Sequence, residues 1–557
     1  MIKENFIKLF EDGFKNNWDL PAMTNYGEAK TLNYSDVAKE IAKLHIIFEE
    51  AGLKESDKIA LIGKNTANWA IAYLASVTYG AVIVPILADF NPNDVQHIIN
   101  HSESLLLFSS DQIWESLDED KMKELKATIS LTDFSLLYQK EKEENKEEEI
   151  FDRVIAQIKT KFNEKFPGGF TKDDIVYADV PNERVIVLNY TSGTTGFSKG
   201  VMIMANNLAG NLTFAKRKDI LRRGETVLSF LPLAHTYGCA FEFLFAISVG
   251  CHVNFLGKTP SPKILLKAFA DVRPNIVITV PLILEKIYKK MILPLIGKRP
   301  MRFALSIPIL DAQIYSKIRK KLMDAMGGNF EQVIIGGAPL NKEVEEFLYK
   351  IKFPFMVGYG MTECAPLISF DNYTDFVLTS CGQILDIMEV RIDSDDPYNI
   401  AGEIQVRGEN VMLGYYKNEE ATRSTFTEDG WLKTGDLGTV DKNNRIFIRG
   451  RSKNMILGAS GQNIYPEEIE SKLNNLPFVM ESLIIEKDKK LVALVYPDYD
   501  ALDETGIEPD KLSYLMEENK KMLNEMVAPY ERIAEIQLYP TEFEKTPKKS
   551  IKRYLYQ

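Results

Sequence analysis

Along the first part of the chain, short β-branched runs alternate with helical stripes. Thr31–Tyr34 reads as extended, and Ser35 offers an N-cap for a helix that puts Val37, Ile41, Leu44 and Ile47 on one face. Lys58–Gly63 then reads as a strand. The run from Trp69 to Leu87 carries no charge and has the length of a membrane span. Ser76, Thr78, Tyr79, Gly80 and Pro85 divide it instead into a buried helix, Asn68–Tyr79, and a strand, Ala81–Val84, which the proline ends. This alternation predicts α/β architecture with parallel strands. Lys140–Glu149 is a charge run, read as a solvated face rather than a partner site, and Ile150, Phe151, Val154, Ile155 and Ile158 follow at helical spacing. Val185–Tyr190, Glu331–Ile335, Phe355–Tyr359 and Glu403–Arg407 read as further strands. After Gly450 the pattern shortens. A turn-rich stretch, Lys453–Ile464, precedes a small unit: helix Glu467–Leu473, strands Glu481–Ile485 and Leu491–Val495, helix Leu512–Met526 and a basic tail.

Composition narrows the function. The 557 residues carry 67 Lys and Arg against 79 Asp and Glu, a net charge of −12. That surplus argues against bulk binding to nucleic acid or anionic membrane, while leaving room for a local basic pocket and a peripheral membrane contact. Cys239, Cys251, Cys364 and Cys381 show no CxxC spacing, and with five histidines they predict neither a structural zinc site nor a disulfide scaffold. A reducing, cytoplasmic setting is expected. The first residues have no apolar run behind a basic start, so no signal peptide is expected.

The densest chemical signal is Thr191-Ser192-Gly193-Thr194-Thr195-Gly196-Phe197-Ser198-Lys199-Gly200, following Tyr190. Its glycines free backbone N–H groups to approach an anion, its hydroxyls add donors, and Lys199 adds charge, a set suited to polyphosphate. The spacing departs from a Walker A loop; a Ser-Lys hydrolase with Ser192 or Ser198 as nucleophile is the competing reading. Gly358-Tyr359-Gly360-Met361-Thr362-Glu363 offers an aromatic face for a base and one carboxylate for a hard cation. Gly430–Asp436 ends on a carboxylate that could hold ribose hydroxyls or simply cap a turn. Gly450-Arg451-Ser452-Lys453-Asn454 coincides with the inferred domain boundary and reads as a hinge.

In this order the four blocks resemble the adenylate-forming superfamily of acyl-CoA synthetases, adenylation domains and luciferases. Gly336-Gly337-Ala338-Pro339-Leu340 and Pro466–Glu470 add to the likeness, which runs from about Thr31 to Arg553. Leu231–Gly238 (LPLAHTYG), Val280-Pro281 with Glu285–Tyr288, and Gln462–Pro466 look most like long-chain fatty acid–CoA ligases. The resemblance implies a large α/β N-terminal adenylation domain of several subdomains with mixed sheets, residues 1–450. A small mobile α+β lid, residues 451–557, would hinge near Lys453. It implies that a fatty acid attacks Mg-ATP to give acyl-adenylate and pyrophosphate, and that CoA then takes the acyl group. Thr191, Ser192, Gly193, Thr195, Gly196 and Lys199 would hold the phosphates, and Thr194 and Glu363 would assist Mg²⁺. Gly336, Gly337, Ala338 and Tyr359, with Gly358, Gly360, Met361 and Thr362 beside it, would form the nucleotide pocket. Asp436 and Arg451 would fix the ribose, Lys453 would sit at the hinge, and His235 near the acyl–pantetheine junction.

The chain also departs from its relatives. Ser550 occupies the position of the usual adenylation lysine, with Lys549 and Lys552 beside it, and a one-residue shift would bring Lys549 into place. Met204–Asn207 replaces a Thr-His-Arg-Asn stretch, Leu282 an arginine and Cys239 a tryptophan gate. A fatty acyl-AMP ligase serving an acyl carrier protein, and a degenerate ATP-binding homologue without turnover, are the alternatives the resemblance leaves. The first usually carries a lid-restraining insertion, and none is evident between Gly360 and Gly450.

Overall fold

The computed structural model describes residues 2–140, 150–191, 199–296, 299–307, 310–457, 462–506, 511–546 and 551–556. Two large sheets dominate. One has eight strands, in the order Gly414–Tyr415, Lys199–Met204, Val185–Thr191, Val82–Ile86, Lys58–Ile62, Ser104–Ser109, Ala127–Ser130 and Leu136–Gln139. Its inner five strands are parallel and its edge pairings antiparallel. The other has seven strands: Phe355–Val357, Gln332–Ile335, Ile276–Thr279, Thr226–Ser229, His252–Phe255, Pro21–Asn25 and Thr31–Asn33, parallel except for the last pair.

The charge-free run is the helix–strand unit its residues predict. Helix Ala67–Tyr79 starts at Thr66, whose hydroxyl accepts from the Trp69 N–H, and stops at Gly80, where φ is 89°. Nearly all its side chains are buried in the main core. Among the described residues no helix is long and apolar enough to cross a membrane. Two local expectations are corrected. Pro85 lies inside strand Val82–Ile86 rather than ending it; pairing to Val185–Thr191 is confined to Ile83, so the missing N–H breaks no ladder there. The second helix runs Tyr34–Glu50 from an Asn33 N-cap, with the Asp36 carboxylate accepting from the Asn33 N–H, so Ser35 lies inside it.

An antiparallel sheet of Met388–Asp393, Gly402–Gly408, Leu432–Val440 and Ile446–Arg451 follows. One continuous core takes in Phe6 through Ile446. The residues from Ile464 onward build their own core around helices Pro466–Leu473 and Leu512–Met526 and the sheet Val479–Lys487, Lys490–Pro497 and Ile533–Leu538.

Candidate active site

Parallel strands share a direction, so their carboxyl ends line one rim, where ligands of open α/β sheets collect. The chemistry-bearing segments leave from that rim. Val185–Thr191 runs into the Ser/Thr/Gly loop, Thr226–Ser229 into Leu231–His235, Gln332–Ile335 into Gly336–Ala338, and Phe355–Val357 into Gly358–Glu363. Two asparagines tie the rims of the two sheets together. Asn189 donates to the Ala234 carbonyl (2.9 Å), and Asn65 donates to the Leu231 carbonyl (2.7 Å) while accepting from the Leu233 N–H (3.1 Å).

Ser192, Gly193, Thr194, Thr195 and Gly196 lie outside the described residues, as do Lys549, Ser550 and all but the first residue of the Lys140–Glu149 run. The ends of the Ser/Thr/Gly loop are placed: Thr191 and Lys199 face each other as the closing pair of an antiparallel ladder. Lys199 then lies over the Tyr415 ring, 4.9 Å from its centroid, and the Tyr415 hydroxyl donates to Glu363 Oε1 (2.8 Å). The short strand Gly414–Tyr415 pairs with Val201 and Met202, and that pairing draws the loop's lysine and the Glu363 carboxylate together. Glu363 sits on a single turn, Thr362–Cys364, between half-buried Met361 and a left-handed Ala365.

A second cluster centres on Asp436, whose carboxylate is 6% exposed. Tyr359 donates its hydroxyl to Oδ2 (2.6 Å), and the Arg451 guanidinium meets Oδ1 (2.8 Å) from a side chain that is 59% exposed. Asp436 and Arg451 are also ladder partners, with Gly435 (φ 73°) turning the strand just before the carboxylate. Burial pushes the Asp436 carboxyl up from its usual range; Arg451 and the Tyr359 hydroxyl oppose the shift. Burial raises the Tyr359 phenol well above its ordinary value, so it stays a donor. Lys453 is exposed on the turn Ser452–Asn454.

The glycines divide by what surrounds them. Gly336 is buried against the Tyr237 ring, where a Cβ would lie 3.0 Å away, while Gly337 (φ 84°) and Ala338 are exposed. A Cβ on Gly360 would run into the Pro366 carbonyl, so that glycine is required by the chain's own packing. Gly358 has room. His235 is half-buried and caps the turn Thr236–Gly238. Cys239, next in that segment, is buried, and burial pushes its thiol up to about 12.

Sequence reasoning missed three contributors. Tyr415 is found only through strand pairing, although its Gly-Tyr-Tyr setting is a local cue. Tyr237 lies inside the LPLAHTYG phrase and holds the Ile334 carbonyl (3.1 Å). Glu242 interrupts the apolar run Cys239–Leu244 and is fully buried. Its Oε2 accepts from the Ser229 hydroxyl (3.0 Å) and from the Phe230 and Leu231 N–H groups (both 3.1 Å), fixing the segment that leads to His235. Burial pushes this carboxyl well above the usual range.

A rim of this kind, with a hydroxyl- and glycine-rich sequence between Thr191 and Lys199 and two separate carboxylates, has the chemistry to receive a phosphorylated nucleotide. The chain matches the AMP-binding enzyme family over residues 10–416, and it belongs to that family. It is 26% identical to the long-chain-fatty-acid–CoA ligase FadD15 of Mycobacterium bovis, covering 93% of this chain and 89% of that one. It is 25% identical to the long-chain-fatty-acid–CoA ligase ACSBG2 of Rattus norvegicus, over 91% and 79%. Among solved structures it resembles the O-succinylbenzoate coenzyme A synthetase MenE of Bacillus subtilis, in complex with ATP and magnesium ion. There the TM-score is 0.73 at 19% identity, covering 98% of each chain.

Proposed function

We propose that the protein is an AMP-forming ligase that activates a long-chain fatty acid with ATP and transfers it to CoA. The observation that carries this reading is the likeness to long-chain-fatty-acid–CoA ligases along about nine-tenths of the chain. The geometry agrees with it. Each Asp436 oxygen has one partner and keeps a lone pair for a ribose hydroxyl. Gly336–Ala338 and Tyr359 would border the base, and Thr191 and Lys199, the placed ends of the loop, would flank the phosphates. Glu363 has one oxygen engaged by Tyr415 and the other without a hydrogen-bond partner among the described residues, and one carboxylate beside substrate phosphates is the usual donor set for Mg²⁺. Bound there with Thr194, the cation would neutralise phosphate charge. The rest of the catalysis is positioning: the protein aligns a carboxylate with the α-phosphate and keeps water away. His235 borders the acyl–thiol junction.

The lid reading rests on the separate core after Ile464 and places the boundary at residues 450/451, with Lys453 at the hinge. Polar contacts join it to the large unit: Asn341 and Asn475 exchange amide hydrogen bonds (2.7 and 3.1 Å), Asn341 also donates to the Ser471 carbonyl (3.3 Å), Lys289 donates to the Asn474 carbonyl (3.0 Å), Arg449 pairs with Glu468 (3.9 Å) and Arg451 with Asp436 (2.8 Å). Lys552 is held by Glu544 within the lid (3.3 Å), which supports Lys549 as the adenylation lysine. The free thiols favour a reducing, cytoplasmic setting. Pyrophosphate release with oleate tests the function. Release that CoA strongly stimulates is expected; no release with any carboxylate would overturn the reading.

A further inference from the structure

Helix Ala205–Arg217 carries three asparagines, Asn206, Asn207 and Asn211, all buried, and Asn410 meets it from the segment ahead of strand Gly414–Tyr415. Asn207, Asn211 and Asn410 have no exposed surface. A carboxamide in apolar core is costly unless its hydrogen bonds are made. The bonds these three make show what they hold. Leu367 gives both of its backbone groups to them: its N–H donates to Asn211 Oδ1 (3.0 Å), and its carbonyl accepts from Asn410 Nδ2 (2.7 Å). Asn211 Nδ2 donates to the Asn207 carbonyl (2.8 Å) and reaches the Cys364 carbonyl (3.4 Å). The Asn207 side chain accepts from the Met204 N–H (2.8 Å) and donates to the Glu409 and Val411 carbonyls (2.8 and 2.9 Å). The Met412 N–H then donates to the Glu363 carbonyl (2.8 Å). Asn410 Oδ1 is buried with no hydrogen-bond partner among the described residues, and a Cβ on Gly210 would lie 2.5 Å from it. Only glycine on the helix lets this amide in.

These bonds bracket one carboxylate. Cys364 and Leu367 stand on either side of Ala365 and Pro366, directly after Glu363, and Met412 precedes Tyr415, whose hydroxyl donates to Glu363 Oε1 (2.8 Å). Glu363 itself sits on a three-residue turn, too short to fix the direction of its own side chain. The helix begins where strand Lys199–Met204 ends, so the amides join the strand that leaves the Ser/Thr/Gly loop to the turn that bears Glu363. We propose that Asn211 is a positioning residue for the divalent cation: with Asn207 and Asn410 it holds the Glu363 carboxylate where a phosphate-bound metal meets it. A satisfied amide network specifies one geometry where aliphatic packing accepts several. The proposal rests on the reading of Glu363 as the Mg²⁺ carboxylate and names what holds it.

The test is binding of Mn²⁺–ATP to the full chain, followed by electron paramagnetic resonance, beside calorimetric titration with metal-free ATP. Asn211→Leu keeps the volume and loses the bonds; it should bind Mn²⁺–ATP about 10–100-fold more weakly, with metal-free ATP changed by less than about twofold. Asn410→Ala, which frees only the Leu367 carbonyl, should shift binding the same way and serves if Asn211→Leu does not fold. Asn519→Leu breaks a buried amide bond to the Pro477 carbonyl (2.8 Å) in the separate small core, and should lower Tm without touching Mn²⁺–ATP. The proposal is overturned if Glu363→Gln loses the metal while Asn211→Leu and Asn410→Ala keep it. It is also overturned if metal-free ATP binding falls as far as Mn²⁺–ATP binding, or if Asn519→Leu weakens the metal equally, since either marks general damage. Mn²⁺–ATP held alike by the wild type, Glu363→Gln and Asn211→Leu would sink the Glu363 reading and the proposal with it. Metal lost as expected in a chain that activates no carboxylate would uphold the proposal and sink the ligase reading instead.

Discussion

Tyr359→Phe removes one oxygen from the centre of the proposed nucleotide site. That hydroxyl is the buried donor to Asp436, at 2.6 Å; the other partner, Arg451, approaches from solvent. Losing a donor to a buried charged acceptor costs roughly 1.5–3 kcal/mol. Spread over an unfolding entropy of about 2.1 cal/mol/K per residue in 557 residues, that is a fall in Tm of about 1–3 °C. The functional effect should be larger than the thermal one. A carboxylate without its inner donor is free to turn toward Arg451 and away from ribose, so KM for ATP should rise about tenfold with kcat nearly unchanged, the pattern of lost uniform binding. Asp436→Asn is the contrast: the amide oxygen still accepts from Tyr359, so less Tm is lost, while the lost charge costs nucleotide affinity at least as much. Differential scanning fluorimetry and ATP–pyrophosphate exchange read the two effects. A Tm loss with unchanged ATP dependence in both variants would refute the nucleotide role and leave the cluster as packing.

Three further outcomes are expected. Glu345, buried and accepting from the Thr379 N–H (2.6 Å), has its carboxyl pushed up to about 7 by burial. The folded state therefore holds a proton that the unfolded state has released, so stability falls as pH rises from about 4.5 through about 7. Glu345→Gln should flatten that slope and gain about 1–3 kcal/mol at pH 8, measured by denaturant titration at several pH values; an unchanged slope would contradict it. Gly360→Ala should destabilise by about 2 kcal/mol or more, because its Cβ meets the Pro366 carbonyl, whereas Gly358→Ala, with space around it, should stay within about 1 kcal/mol in thermal unfolding. Lys549→Ala should slow adenylate formation most, while sparing thioester formation from preformed acyl-adenylate; equal loss in both half-reactions would count against its role.

What the sequence made legible follows from the range of the forces involved. Local periodicity located helix Leu512–Met526 at both ends and divided the charge-free run into helix and strand. Local capping chemistry points to Ser35, but the cap is Asn33, because the Asp36 carboxylate reaches back to the Asn33 N–H. The site segments were visible because phosphate and metal chemistry demands residue types at fixed spacing. Their partners were not visible. Tyr415 reaches Glu363 across 52 residues and Tyr359 reaches Asp436 across 77, by tertiary contacts that no local pattern encodes. The role of Glu242, inside an apolar run, shows only once its three donors are placed.

The central claim is that this family member joins a long-chain acid to CoA at the expense of the α–β bond of ATP. Mass-spectrometric analysis of the products from oleate, ATP, Mg²⁺ and CoA tests it most directly. The account predicts oleoyl-CoA, AMP and pyrophosphate in equal amounts. ADP in place of AMP, AMP without the thioester, or no product from any long-chain acid would contradict it.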